Sequence, residues 1–291
     1  MEKEYKLINQ ESFELEDIFE CGQCFRWNKQ EDGSYTGIIK DAVINVRKEE
    51  NKIIFKGVCN GDFEKVINEY FDLDTDYRKY KKKLEKIDKY LKESIEFGSG
   101  IRILKQDLWE CIISFIISAN NNIPRIKKII ERISEKYGKK IIWNGKEYNL
   151  FPTVEELSKA SIEDLRELGL GFRDKRVYHT TQMILNKEID LEEIYKMTNT
   201  ENIRNELLKL DGVGEKVADC IMLFSLKRED VFPIDVWVRR VMNDLYIHNE
   251  NEEKVNKTEL QKLASEKFLG LSGLAQQYLF YWKREEGKKV K

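Results

Sequence analysis

The chain has 291 residues, 51 Lys+Arg against 53 Asp+Glu for a net charge of −2, 41% hydrophobic and 11% aromatic residues, three prolines and five cysteines. At roughly 150 residues per domain this allows about two domains that close their cores without metal or disulfide staples, and the aromatic share excludes a disordered chain. No apolar run approaches the roughly 18 residues of a membrane span, the start MEKEYKLINQ is too polar for a secretory signal, and sparse, odd cysteines fit a reducing compartment, so the cytoplasm is expected.

The first sixty residues alternate as strands do, at Phe25–Trp27, Tyr35–Ile39, Ala42–Arg47 and Lys52–Val58, with the turn Glu31-Asp32-Gly33-Ser34 between the first two. From Asp62 the period becomes helical, with Phe63, Val66, Ile67 and Tyr70 on one face, and a second helix is predicted over Arg78–Glu96. Phe97-Gly98-Ser99-Gly100 reads as a linker. The predicted class is therefore α+β: an antiparallel-sheet domain with helices over 1–97, then an all-helical region over 98–291. Residues 1–97 carry 18 basic and 22 acidic residues and the remainder 33 and 31, so a weak cationic bias lies in the second part.

Asp107–Ser118 is apolar around most of its circumference and predicts a buried central helix, stopped by Asn120-Asn121-Asn122. Ile123–Tyr137 begins another, with Pro124 in the first turn, where a missing N–H costs nothing. Lys139–Pro152 reads as an irregular excursion. Helices are predicted at Val154–Ala160, Ile162–Leu168, Asp174–Asn186, Thr200–Leu210, Glu215–Leu226, Val236–Leu245, Lys257–Phe268 and Ser272–Arg284.

The chemistry concentrates in Leu207–Cys220. Here two helices flank Gly212-Val213-Gly214, whose glycines permit φ > 0 and remove the Cβ atoms that would hold a phosphate away. The unpaired N–H groups opening the next helix then form a main-chain anion site, as in a helix-hairpin-helix. Lys216 lies in that first turn, where the helix dipole and any burial are expected to depress the ammonium pKa and make the amine a nucleophile. Val231-Phe232-Pro233-Ile234-Asp235 follows, and Asp235 suits a helix N-cap as well as a catalytic carboxylate.

With these residues the chain resembles the helix-hairpin-helix DNA glycosylase superfamily, and within it the eukaryotic-type 8-oxoguanine DNA glycosylases. Further blocks carry the resemblance: Gly22–Trp27, Asn120–Ile126, Leu168–Arg173 and Gly273–Phe280. It implies a bifunctional enzyme of base excision repair that rotates 8-oxoguanine out of double-stranded DNA and acts as a monomer without metal or other cofactor. Lys216 would attack the sugar as a Schiff-base nucleophile and Asp235 would stabilise the sugar cation, with β-elimination at the abasic site following. The Gly22 carbonyl would accept the N7–H that distinguishes the lesion, Gln276 would read the Watson–Crick edge, and Phe280 and Cys220 would sandwich the ring. Asn120 would fill the vacated space, Arg125 and Arg173 would bond the orphaned cytosine, and Phe172 would wedge beside it. Trp237 stands where animal relatives have a phosphate-contacting histidine.

Two other functions share parts of this pattern: a monofunctional alkylated-base glycosylase that uses water, and a non-catalytic helix-hairpin-helix DNA-binding protein. No cysteine follows Cys220, which argues against the four-Cys iron–sulfur branch of the superfamily. Cys21 and Cys24 have zinc-like spacing, but Cys59, Cys111, His179 and His248 supply no companion pair. The Lys-, Ile- and Asn-rich composition suggests a prokaryote, with the protein associated with the nucleoid.

Overall fold

A computed structural model describes residues 2–251 and 254–289. Five strands, β1 (Lys3–Ile8), β2 (Trp27–Lys29), β3 (Tyr35–Ile39), β4 (Ala42–Glu49) and β5 (Lys52–Val58), form one antiparallel sheet in the order β1-β5-β4-β3-β2. The register pairs Tyr35 with Val46 and Val46 with Phe55, stacking large residues across neighbouring strands. Trp27 lies over Gly37, where a Cβ would come within 2.3 Å of the indole. The helix Phe63–Tyr70 covers this core, and Tyr70 OH accepts a 2.9 Å hydrogen bond from Trp27 Nε1.

A second core surrounds the central helix Leu108–Ser118, in which every residue from Leu108 to Ile117 except Glu110 is buried. Asp107 caps its start by accepting from the Glu110 amide at 3.0 Å. The single helix predicted over Arg78–Glu96 is two, Tyr77–Leu84 and Lys89–Phe97, because Asp88 caps the second by accepting from Leu91 N at 2.9 Å. Leu84, Leu91 and Ile95 from this pair belong to the helical core rather than to that of the sheet.

Further elements depart from the predicted set. Strand β1 and the helix Leu15–Glu20 precede the first predicted strand, and Leu191–Lys196 is an additional helix. The excursion Lys139–Pro152 contains a hairpin, β6 (Lys140–Trp143) and β7 (Lys146–Asn149), which turns at Asn144-Gly145 with both residues at positive φ. The helices Ile123–Tyr137 and Glu215–Leu226 lie where predicted.

The two cores are joined through buried polar groups. Gln23 Oε1 accepts from Leu104 N at 2.9 Å while its Nε2 donates to the Ile18 and Arg102 carbonyls, and Arg102 donates to the carbonyls of Phe71, Asp72 and Thr75. Lys227, just after the hairpin's second helix, pairs with Asp72 at 2.7 Å.

Candidate active site

The helices Thr200–Leu207 and Glu215–Leu226 flank the glycine hairpin. Gly212 has φ +86, and a Cβ there would meet Arg176 Cδ at 2.9 Å and Ile116 Cγ2 at 3.2 Å. Gly214 corrects the expectation of two left-handed glycines: its φ is −98, and a Cβ would stand in open space. As the N-cap it offers no side-chain acceptor, whereas Asp107, Asn122 and Asp235 cap neighbouring helices, so the first-turn amides face outward uncapped. Val213 is buried and its N–H donates to Leu210 O at 3.1 Å. The helix Asp174–Leu185 braces the hairpin through Thr180 Oγ1, which donates to Asp211 O at 2.8 Å, and through His179, 2.9 Å from the Asp211 carboxylate.

Lys216 projects from the first turn, partly buried, with Nζ 5.5 Å from the centre of the Phe115 ring. That ring stacks on Phe224 and meets Phe25 edge-on, so the Gly22–Trp27 block reaches the floor beneath the lysine. Burial, the largest influence on Lys216, favours the neutral amine, but the Cys220 sulfur and the Asp235 carboxylate outweigh it and hold the pKa above the ordinary lysine value. This reverses the expectation of a depressed amine. Burial, the largest influence on Cys220, pushes its thiol up to about 11 against the pull of Lys216. Asp235 accepts from Val238 N at 2.8 Å as the N-cap of Val236–Met242, which fixes the carboxylate within electrostatic reach of the amine.

The Gly22–Trp27 block, whose Phe25 meets the Phe115 ring, begins with a turn at Gly22, whose φ is +90. A Cβ on Gly22 would sit 3.6 Å from Phe280 Cε1 and 3.3 Å from Arg284 Nη1, so the last helix, Ser272–Lys289, abuts this turn. The carbonyls around Gly22 are all engaged: Glu20 O accepts from Arg284 Nη2, Cys21 O from Gln277 Nε2 at 2.6 Å, and Gln23 O from Gln106 Nε2 at 2.7 Å. Among the described residues no donor reaches the Gly22 carbonyl. Gln276 is buried on the same helix, one turn before Phe280.

A third group lines the surface beside the hairpin. Asn120 follows the central helix in the left-handed conformation, φ +51, where asparagine is among the better-tolerated side chains. Arg173 is 1% exposed and donates to the carbonyls of Leu170, Ala119 and Asn120, so its guanidinium supports the Asn120 turn. Arg125 is exposed and donates to Gly169 O at 3.2 Å. Phe172 is 56% exposed, with the Arg173 and Arg176 guanidinium carbons 4.2 and 5.5 Å from its ring centre. Trp237 is half-exposed on the turn after Asp235, with Arg240 5.7 Å from its ring centre.

Three residues escaped sequence reasoning. Arg176 lies one turn beyond Phe172 and packs its stem on Gly212, and its guanidinium has no hydrogen-bond acceptor among the described residues. Gln277 and Arg284 reach the Gly22 turn, and the only sequence signal for either was its place on the helix that carries Gln276 and Phe280. No group of three His, Cys, Asp or Glu among the described residues is arranged to hold a metal ion.

Comparison with known proteins places this arrangement. The N-terminal domain of 8-oxoguanine DNA glycosylase matches residues 6–112, and the HhH-GPD superfamily of base excision DNA repair proteins matches residues 113–266. An N-glycosylase/DNA lyase of Saccharomyces cerevisiae is 33% identical over 290 residues, covering 88% of this chain and 73% of that protein. The structure of the Clostridium acetobutylicum 8-oxoguanine glycosylase/lyase in complex with double-stranded DNA containing cytosine opposite 8-oxoG superposes with a TM-score of 0.92 at 46% identity, covering 99% of this chain and 98% of that one. A 3-methyladenine DNA glycosylase from Archaeoglobus fulgidus, 21% identical over 96% of this chain and 98% of its own at a TM-score of 0.78, shares the fold. Fold and hairpin together define a helix-hairpin-helix base excision repair protein. Within that superfamily, the chain belongs to the 8-oxoguanine DNA glycosylase family.

Proposed function

We propose that the chain removes 8-oxoguanine from duplex DNA and then cleaves the abasic strand, acting as a bifunctional DNA glycosylase and lyase in base excision repair. The observation that carries this reading is the pairing of an unengaged Gly22 carbonyl, fixed between three engaged ones, with a half-buried lysine held near Asp235. 8-Oxoguanine presents an N7–H donor where guanine presents a lone pair, so one carbonyl held against that edge attracts the first and repels the second. Phe280 and Cys220 flank the space for the ring, and Gln276 supplies the amide for its Watson–Crick edge.

Lys216 in its neutral form attacks C1′ and the electrons of the C1′–N9 bond leave with the base, which takes up a proton. Asp235 stabilises positive charge at the sugar as that bond weakens. The attached amine loses one proton, the C1′–O4′ bond breaks with O4′ taking up a proton, and the protonated imine forms. The imine acidifies the C2′ hydrogen, whose removal expels the 3′ phosphate. The amides opening Glu215–Leu226, with Gly212, Val213 and Gly214, hold a backbone phosphate. Asn120, Arg125 and Phe172, joined by Arg176, face the duplex beside the extruded nucleotide, Arg173 holds the Asn120 turn from beneath through the Ala119 and Asn120 carbonyls, and Trp237 offers its indole N–H to a neighbouring phosphate. In this assignment residues 1–97 supply the lesion-reading turn, residues 98–291 supply the chemistry, and a monomer suffices. Among the described residues no helix is long and apolar enough to cross a membrane. The cytoplasm, at the nucleoid, is the proposed location.

Borohydride trapping tests the reading on a duplex with 8-oxoguanine opposite cytosine. A covalent adduct that requires both the lesion and Lys216, and disappears in Lys216→Gln, is expected. DNA binding without adduct or released base would overturn the assignment and direct attention to alkylated bases.

A further inference from the structure

The last helix meets the Gly22 turn at more than its base-facing residues. Gln277 Nε2 donates to Cys21 O at 2.6 Å from a fully buried position, and Arg284 Nη2 donates to Glu20 O at the end of the helix Leu15–Glu20. The same guanidinium carbon lies 5.4 Å from the Phe280 ring centre, and Arg284 Nε reaches Glu285 at 3.0 Å. Arg284 Nη1 is buried with no hydrogen-bond partner among the described residues and stands 3.3 Å from the place a Gly22 Cβ would occupy. A buried guanidinium with an unused donor is costly, and an apolar residue of similar length would fill that space without the cost.

We propose that Gln277 and Arg284 are positioning residues for lesion recognition, clamping the Gly22 turn to the helix that carries Gln276 and Phe280. This rests on the assignment of Gly22 and Phe280 to the base pocket. The free Gly22 carbonyl discriminates between two bases only if it is fixed relative to the plane on which the ring stacks, because a hydrogen bond or lone-pair repulsion weakens steeply with misalignment. Carbonyls 20 and 21 are held by side chains of the helix that forms that plane, so turn and wall move as one body. The contact of the guanidinium with Phe280 restrains the ring as well. The duplex-facing residues and the Lys216–Asp235 pair lie outside this clamp, so its loss is felt in reading the base and not in holding DNA or in amine chemistry.

The test compares two reactions of the full-length protein: excision of 8-oxoguanine opposite cytosine under single-turnover conditions, and cleavage of a preformed abasic site in the same duplex. Arg284→Met and Gln277→Leu keep side-chain length and apolar packing. Each is expected to slow base excision by about tenfold or more, as for the loss of one charge-assisted or buried hydrogen bond, and to leave abasic cleavage within about twofold. Arg284→Lys, which retains a donor and a charge, should recover part of the loss. Parallel loss of both reactions would mean that the helix merely supports the fold, and unchanged excision would mean that the clamp is dispensable; either overturns the proposal. Wild-type protein that cleaves abasic sites but leaves 8-oxoguanine in place would instead overturn the lesion assignment.

Discussion

In the proposed reaction Lys216 is the residue on which the chemistry turns, and its environment sets a pH dependence. Held above the ordinary lysine range, it is an ammonium at neutral pH and must lose a proton before it can attack. The single-turnover excision rate should therefore rise with pH through neutrality and beyond. Asp235→Asn removes the anionic neighbour, so the lysine loses its proton more readily and the rising limb moves to lower pH. The maximal rate falls by roughly 100-fold or more because the sugar cation loses its stabilising charge. A rate profile of both proteins between pH 6 and about pH 9 checks this, and a limb that does not move would place the two groups out of contact. The sequence supplied the identities of Lys216 and Asp235 through their place after the hairpin. It did not supply the sign of the lysine's shift, because that depends on Cys220 and Asp235 together outweighing burial, a balance set by three-dimensional proximity.

At the scale of the element, the hairpin separates glycine's two uses. Gly212→Ala forces a Cβ into Arg176 and Ile116 at positive φ, and should cost about 1–3 kcal/mol of stability. Gly214→Ala meets only open space and an ordinary backbone conformation, so its melting temperature should move by no more than about 3 °C, yet the added methyl would stand where the proposed assignment brings a phosphate. Thermal melts paired with duplex binding check the contrast: stability loss at Gly212, and affinity loss on damaged and undamaged DNA alike at Gly214. Arg176 belongs to the same surface. Arg176→Gln should lower the slope of log K against log salt by about one phosphate's worth while leaving the preference for cytosine opposite the lesion intact. Element boundaries were legible where period and caps agreed, as at Ile123–Tyr137, which Asn122 opens and Gly138 ends. They were misread where a cap interrupts a continuing apolar stripe, as at Asp88, and where the Asn144-Gly145 turn signal lay between strands too short to show alternation.

For the whole molecule, buried carboxylates tie stability to pH. Burial pushes the Glu110 carboxyl up to about 7, against the pull of Arg26, and Asp219 up to about 6, against Arg204. Between the ordinary value of 4.5 and about 7 the unfolded chain binds fewer protons at Glu110 than the folded one, so stability falls as pH rises through that window. Melting temperatures at pH 5 and pH 8 should show this fall, and Glu110→Gln should shrink it without abolishing it, since Asp219 contributes the same sign between 3.8 and about 6. The α+β class and the central helix were legible from local pattern alone. The meeting of the Gly22 turn with the last helix was not, because no periodicity links positions so remote; only the resemblance put Gly22 and Phe280 in one pocket, and it left Gln277 and Arg284 unmarked.

That remoteness has a consequence for how the protein is made. Gln277 and Cys21, joined by one hydrogen bond, are 256 positions apart. A ribosome delivers the Gly22 turn early and the Lys216 hairpin much later, and both emerge before the helix that closes the pocket. On the proposed assignment, a nascent chain would carry the nucleophilic lysine and the phosphate-binding hairpin while still unable to judge a base. The power to discriminate would then arrive last, and an interrupted translation product would be blind to the lesion.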